Sequence, residues 1–318
     1  MNVLLTGVTG NLGNEVAIEL LNRGINVIPI LRLSRRLEFL QKDFHFSETL
    51  VADLLQPLEL NTQTIIDCVV HCAGDVNFLG GGEINRKMIA NIIVFAKKYN
   101  IPIFHISTAF IYNKSNGFNN NYELDKFNTE KLLENSGIAY SIVRPSVIVG
   151  NSRTGKIINS SGYYEIVNRF VKVAQKARKE NIKIRYPKLL GKSDMVPVDQ
   201  VADCIVNLVQ SNKLNMVYAT NPNPPDASWV FSRSMAFFGL LETFDIINCT
   251  FEEFGKLQLN EYENDLYLFG KHFNRYWDYN GKFPNTSIVK NSIDEVFLKR
   301  TLTFFEKFML SKYETAMH

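Results

Sequence analysis

The stretch Thr6-Gly7-Val8-Thr9-Gly10-Asn11-Leu12-Gly13 constrains this chain more than any other part of it. It follows the apolar run Val3–Leu5 and leads into the amphipathic segment Glu15–Asn22. Glycines in G-x-x-G-x-x-G spacing permit a tight turn and the close approach of backbone to an anion. A helix starting in such a turn offers free N–H groups and the positive end of its dipole. A second apolar run, Asn26–Leu31, follows about one helix later. Strand, glycine turn, helix and strand read as a dinucleotide site, with Gly7, Thr9, Gly10, Asn11 and Leu12 at the pyrophosphate.

The same alternation continues. Thr49–Val51, Cys68–His71, Ile103–Ile106 and Tyr140–Val143 are short apolar runs, and helical patterns such as Arg86–Tyr99 and Lys126–Asn135 lie between them. That order predicts right-handed βαβ units and a doubly wound parallel α/β sheet covered on both faces. Past Gly150 the alternation weakens. Glu165–Asn181 reads as one long helix with a basic end, Val201, Ile205 and Leu208 form a helical stripe, and Met216–Ala219 suits one more strand. From Asn221 the chain reads as irregular and aromatic-rich, closing on an amphipathic helix around Phe297–Leu310. We therefore expect a Rossmann domain over residues 1–220, with an insertion around 151–192 that joins residues 221–318 in a small substrate lobe.

Composition narrows the function. A net charge of +3 over 318 residues is too small for a nucleic-acid partner. No apolar stretch suits stable membrane insertion, and four cysteines do not make a disulfide framework, so a cytoplasmic protein is expected. The cysteines show no metal-ligand spacing and read as small hydrophobes, while His71 and His105 read as structural strand residues. Gly80–Gly82 reads equally as a hinge or a tight turn. Oligomeric state is left open.

The end of the second strand selects the cofactor. It carries Ile30-Leu31-Arg32-Leu33-Ser34-Arg35-Arg36 rather than the acid that meets the ribose hydroxyls of NAD. Arg32 together with Arg35 or Arg36 suits a 2′-phosphate, so NADP is expected. Asp53 and Leu54, after the third strand, are placed for the adenine. Tyr122 and Lys126 form a Y-x-x-x-K on one helix face, where the nearby ammonium is expected to stabilise a phenolate and lower the Tyr122 pKa, so that the phenol can exchange a proton with a carbonyl oxygen near neutral pH. Ser107-Thr108, at the end of the preceding strand, adds a hydroxyl for the same carbonyl oxygen; the family resemblance given next implies Thr108 for that place and a structural role for Ser107.

Taken in order, Gly7–Gly13, His71-Cys-Ala-Gly74, Thr108, Tyr122, Lys126 and Arg144-Pro145-Ser146 resemble an extended short-chain dehydrogenase/reductase. The resemblance covers about residues 1–220 and implies that Tyr122, Lys126, Ala73, Gly74, Pro145, Ser146 and Val147 also meet the cofactor. Asn85, Asn91 and Ala96 keep the spacing of the family's helix after the fourth strand, although Met88-Ile89 replaces its usual Gly-Thr pair. His71–Phe78, Arg144–Gly155 and Asp194–Ala202 resemble the thioester reductase and fatty acyl-CoA reductase branch. That branch implies NADPH-dependent reduction of an acyl-CoA or acyl-carrier-protein thioester to an aldehyde or alcohol. Two departures stand out: the short interval from Thr108 to Tyr122, and the weak match after residue 220. The alternatives are ketone or aldehyde reduction, nucleotide-sugar epimerisation or dehydration, and a non-catalytic NADP-binding regulator.

Overall fold

The computed structural model describes residues 1–32, 44–59, 62, 64–76, 83–114, 117–284 and 293–316. Its elements begin β1 (Asn2–Thr6), α1 (Asn11–Asn22), β2 (Asn26–Leu31), β3 (Leu50–Val51), β4 (Cys68–His71) and α2 (Ile84–Tyr99). Then come β5 (Ile103–Ile106), α3 (Asn121–Glu134), β6 (Tyr140–Pro145), β7 (Val147–Val149), α4 (Tyr163–Lys179), β8 (Ile184–Pro187) and β9 (Met195–Pro197). The chain closes with α5 (Val198–Ser211), β10 (Met216–Ala219), α6 (Ala227–Phe237), β11 (Phe244–Ile247), α7 (Phe251–Phe254), α8 (Glu261–Trp277) and α9 (Glu295–Ala316). Among the described residues, no helix is long and apolar enough to cross a membrane.

Two compact units emerge. The first comprises Met1–Ser146, Val196–Thr220 and Phe283–Lys290; the second comprises Val147–Met195, Asn221–Lys282 and Asn291–His318.

The first unit is built on a seven-stranded sheet in the order β10-β6-β5-β4-β1-β2-β3, parallel throughout. From β1 the order runs outward in both directions, so the switch point lies between β1 and β4. This is the expected doubly wound Rossmann architecture. Val3, Leu4, Leu5, Val69, Val70, Ile103 and Ile142 are buried, because helices cover both faces of the sheet. On one face Leu4, Val69, Ile103 and Ile142 pack with Ile89, Ile92 and Ala96 of α2 and Leu133 of α3. Each such burial contributes about 1.5–3 kcal/mol. Arg23 at the C-cap of α1 bonds Glu19, Asp203, Asn207 and Gln210, which pins α1 to α5.

The second unit holds a parallel β8–β11 pair and several helices around an aromatic core. Phe170 of α4 lies edge-on to Tyr186 and Phe231, with ring centroids 5.0 and 5.5 Å away, and stacks on Trp277 at 6.0 Å. The region after Asn221, expected to be irregular, is largely helical. Its aromatics fall at helical spacing: Tyr262, Leu266, Phe273 and Trp277 are all buried on α8, which opens with an Asn260/Glu263 capping box.

Candidate functional site

The glycine turn is shaped by its missing side chains. Gly7 has φ +76°, and a Cβ there would stand 2.5 Å from the Ala73 nitrogen. A Cβ at Gly13 would stand 2.1 Å from the Gly7 carbonyl oxygen. The first glycine thus lets the β1 turn touch the loop after β4, and the third lets α1 begin directly against that turn. Gly10 caps α1, whose first turn holds no acidic residue. The dipole at this end therefore suits an anion.

Thr6 ties the turn to the loop after β4. The Ala73 N–H donates to Thr6 Oγ1 at 3.1 Å, and Thr6 Oγ1 lies 2.8 Å from His71 Nδ1. Since the threonine oxygen accepts from Ala73, its own proton is free for His71. His71 stacks on His105 across the neighbouring strands, with ring centroids 5.5 Å apart. Burial, with the Lys126 charge adding to it, holds His71 down to about 3 and His105 well below the usual imidazole value. Both rings are therefore neutral at pH 7.

The loop continues into Gly74 and Asp75. Asn85, near the start of α2, accepts the Asp75 N–H at 2.8 Å and donates to the Asp75 carbonyl at 3.0 Å, copying a backbone pairing. Asp125 of α3 in turn accepts the Asn85 N–H at 3.0 Å and pairs with Arg86 at 3.2 Å. A buried carboxylate thus caps α2 from a neighbouring helix. This role for Asp125, one of the residues between Tyr122 and Lys126, carries no signal in the sequence. Thr6 was passed over as well, although it stands directly before the first glycine.

Thr108, Tyr122 and Lys126 come together. Thr108 lies two residues past the end of β5 and is buried; its side chain hydrogen-bonds the Tyr122 phenol. Asn120 caps α3 by accepting the Glu123 N–H at 3.0 Å, which fixes the turn that presents Tyr122. Buried Glu123 accepts from the Asn119 N–H at 2.9 Å and from its side chain at 2.7 Å, and pairs with Lys114 at 3.2 Å. The short interval between Thr108 and Tyr122 is therefore a tightly bonded loop on both sides of residues 115 and 116. Lys126 is buried, donates to the Ile106 carbonyl at 2.9 Å, and faces Gly74, where a Cβ would stand 3.3 Å from its Nζ.

Electrostatics differ from the simple expectation of a lowered phenol. Burial pushes Tyr122 up from its ordinary value, Glu123 adds to this, and the Thr108 bond opposes it. Burial brings Lys126 down to about 8, against the pull of Asp125, Glu130 and Cys72. At pH 7 the site holds a protonated phenol and a mostly charged ammonium.

The remaining expected residues are placed as follows. Arg32 is exposed on a bend directly after β2, while Arg35, Arg36, Asn77, Phe78 and Gly80–Gly82 lie outside the described residues. Asp53 is exposed and accepts the Leu55 N–H at 3.0 Å; the Leu54 carbonyl accepts from Asn91 of α2 at 2.9 Å. Pro145 ends β6, and Ser146 beside it is buried with no partner for its hydroxyl among the described residues. Val147 opens the second unit. Arg144 forms a two-pronged ion pair with buried Glu130 and also bonds Tyr218, so it anchors α3 to β6. Asp194 accepts the Asn221 N–H at 2.9 Å and is likewise a structural anchor.

These features fit a nicotinamide dinucleotide: a turn that excludes Cβ atoms, a helix N-terminus whose first turn holds no acid, a buried serine hydroxyl without a partner among the described residues, and a buried lysine facing Gly74.

Residues 7–175, just over half of the chain, match the NAD(P)H-binding family, and the protein belongs to it. No curated protein matches the sequence. Among solved structures, the chain resembles a thiolation-reductase di-domain from an archaeal non-ribosomal peptide synthetase, at 18% identity and TM-score 0.72, over 97% of this chain and 76% of that one. It also resembles the terminal R domain of the myxalamid PKS-NRPS pathway, at 20% identity and TM-score 0.73, over 96% of this chain and 90% of that one. The UDP-Glc/GlcNAc 4-epimerase of Campylobacter jejuni matches at 12% identity and TM-score 0.65, over 96% and 99%. The fold is thus one found both in these reductase domains and in a nucleotide-sugar epimerase.

Proposed function

We propose that the protein is an NADPH-dependent reductase that converts an acyl thioester, carried on coenzyme A or a carrier protein, to an aldehyde or onward to an alcohol. The observation that carries this reading is the Thr108–Tyr122 hydrogen bond beside buried Lys126. The likeness to two reductase domains of carrier-dependent pathways supports the thioester over other carbonyls. Arg32 directly after β2 supports NADPH over NADH.

Bound NADPH would supply the hydride to the carbonyl carbon. The chain's own residues handle the oxygen and the proton. Thr108 and Tyr122 together donate to the oxygen as negative charge grows on it. Because its phenol is held above the ordinary value, Tyr122 is fully protonated at pH 7, as an acid must be. Its proton moves to the oxygen, and the Lys126 ammonium offsets the phenolate until solvent restores the proton. The carbon–sulfur bond of the resulting hemithioacetal then breaks, the carbonyl re-forms, and the sulfur leaves as a free thiol. The balance is one thioester, one NADPH and one proton giving one aldehyde, one thiol and NADP⁺.

The test follows thiol and nicotinamide absorbance together, over a panel of acyl-CoAs and acyl-carrier proteins. One thiol per acyl group is expected, with one NADPH per thiol for an aldehyde and two for an alcohol. Oxidation of NADPH by ketones, or turnover of nucleotide sugars, with no thiol released from any thioester, would instead favour the chemistry that shares this fold with the epimerases.

A further inference from the structure

Charge in this molecule is concentrated on one helix. α4 carries five basic residues, Arg169, Lys172, Lys176, Arg178 and Lys179, and one acidic residue, Glu165, a net +4. The whole chain has a net charge of +3, so everything outside α4 nearly cancels. Three of these cations share a face: Lys172, Lys176 and Lys179 fall at i, i+4 and i+7, within about 60° of arc and about 10 Å of length. All three are exposed, and among the described residues none has an ion-pair partner. Their neighbours do: Arg169 pairs with Asp265, Arg178 bonds the Gly239 carbonyl and Lys183 bonds the Glu242 carbonyl.

A helix C-terminus attracts cations, which accounts for Lys176 and Lys179 in the last turn. It does not account for Lys172, which lies more than a turn deeper. The opposite face, through Tyr163, Tyr164, Ile166, Val167, Phe170, Val173, Ala174 and Ala177, is fully buried, so the stripe stands on a rigid base.

We propose that the Lys172–Lys176–Lys179 face of α4 is the docking surface for an acidic protein, the carrier that presents the thioester. The inference rests on the thioester reading above. A carrier-borne acyl group reaches an enzyme only when the carrier itself binds, and a row of unpaired ammonium groups spaced by helical turns complements a row of carboxylates spaced the same way. The archaeal neighbour carries a thiolation domain in the same chain as its reductase; this chain covers 76% of that neighbour's length.

The test is the triple variant Lys172→Gln, Lys176→Gln, Lys179→Gln, which keeps side-chain length and helix propensity. Lys97→Gln with Lys98→Gln on α2 is the control. Binding to an acidic carrier protein bearing octanoyl-phosphopantetheine is measured directly, alongside steady-state reduction of that carrier and of octanoyl-CoA. The expected result is about a tenfold loss of carrier affinity and a similar rise in its KM, with kcat, the KM for octanoyl-CoA and NADPH affinity unchanged. Added salt should weaken the wild type and leave the variant flat. Equal carrier affinity in variant and wild type overturns the proposal. So does a parallel loss on octanoyl-CoA, which would assign the lysines to nucleotide phosphates. Loss of binding to phosphatidylglycerol vesicles with carrier affinity intact would assign them to a membrane surface instead. If the wild type reduces neither thioester, the functional reading fails, and the binding measurement still decides the docking surface.

Discussion

At the residue scale, the site separates the acid from the charge. Tyr122 is raised and Lys126 lowered by the same cause, burial. On the proposed mechanism the alkaline limit of turnover therefore belongs to the lysine. The ammonium is present below about 8 and lost above it, while the phenol keeps its proton well beyond. We expect kcat to fall as pH rises through about 8, and Tyr122→Phe to lose about 10²–10⁴-fold in turnover while binding NADPH normally. A Phe variant with near-normal turnover would remove Tyr122 from the chemistry. Arg32→Ala should weaken NADPH by roughly 10- to 100-fold and leave NADH unchanged, because one charge-assisted phosphate contact contributes about 1.5–3 kcal/mol. Equal wild-type affinity for the two cofactors in a titration would contradict it. The closeness of Tyr122 and Lys126 was legible from spacing, since i and i+4 share a helix face, whereas Thr108 was picked out by the family resemblance. Asp125 was not: its work depends on where the N-terminus of α2 lies, and no local spacing reports that.

At the element scale, a buried ion pair joins α3 to β6. Glu130 lies on the helix and Arg144 on β6, and both remain largely shielded from water. Removing one partner strands the other charge, which costs about 3–5 kcal/mol; removing both can be nearly neutral. Glu130→Leu and Arg144→Leu alone should each lower stability by that much, and the double variant should recover most of it. A double variant as unstable as the sum of the singles, measured by urea unfolding, would show that the pair does not act as a unit. The strands of the seven-stranded sheet were read almost to their ends because parallel strands covered on both faces are continuous apolar runs, whereas β7, β8, β9 and β11 were not read. The closing helix was expected, but the helices between residue 221 and it were missed because their buried stripe is aromatic and interrupted by polar residues, so period 3.6 is hard to see until the partner ring appears. Phe273 and Trp277 pack as helical residues against Phe170 and its neighbours, which come from distant sequence.

At the scale of the whole molecule, two neutral histidines buried in the sheet are expected to lower stability in acid. In the unfolded chain each titrates near 6.5, whereas folded His71 accepts a proton only at about 3 and His105 well below its usual value. Between those limits the unfolded state binds more protons, so stability rises with pH there and is lost as pH falls below about 6.5. Two such groups give a slope of about 2.7 kcal/mol per pH unit. Denaturant midpoints should therefore drop steeply from pH 6.5 to 5, and His71→Gln with His105→Gln should flatten the slope. An unchanged slope in the double variant would place the acid sensitivity elsewhere.

The second unit is assembled from three separated stretches of chain. A Cβ at Gly150 would stand 2.4 Å from Thr301 Oγ1, and one at Gly155 2.7 Å from the Arg300 carbonyl, so the start of the unit is fitted against its last helix. On the ribosome the chain emerges from its N-terminus. All seven strands of the first unit's sheet have been made by residue 219. The second unit must wait for residue 301 and beyond before its earliest segment finds its partner. Until then Tyr164, whose hydroxyl bonds Thr301, stays exposed as newly made apolar surface. Nascent chains stalled between residues 220 and 300 should accordingly be the species that chaperones hold, and release should coincide with completion of α9.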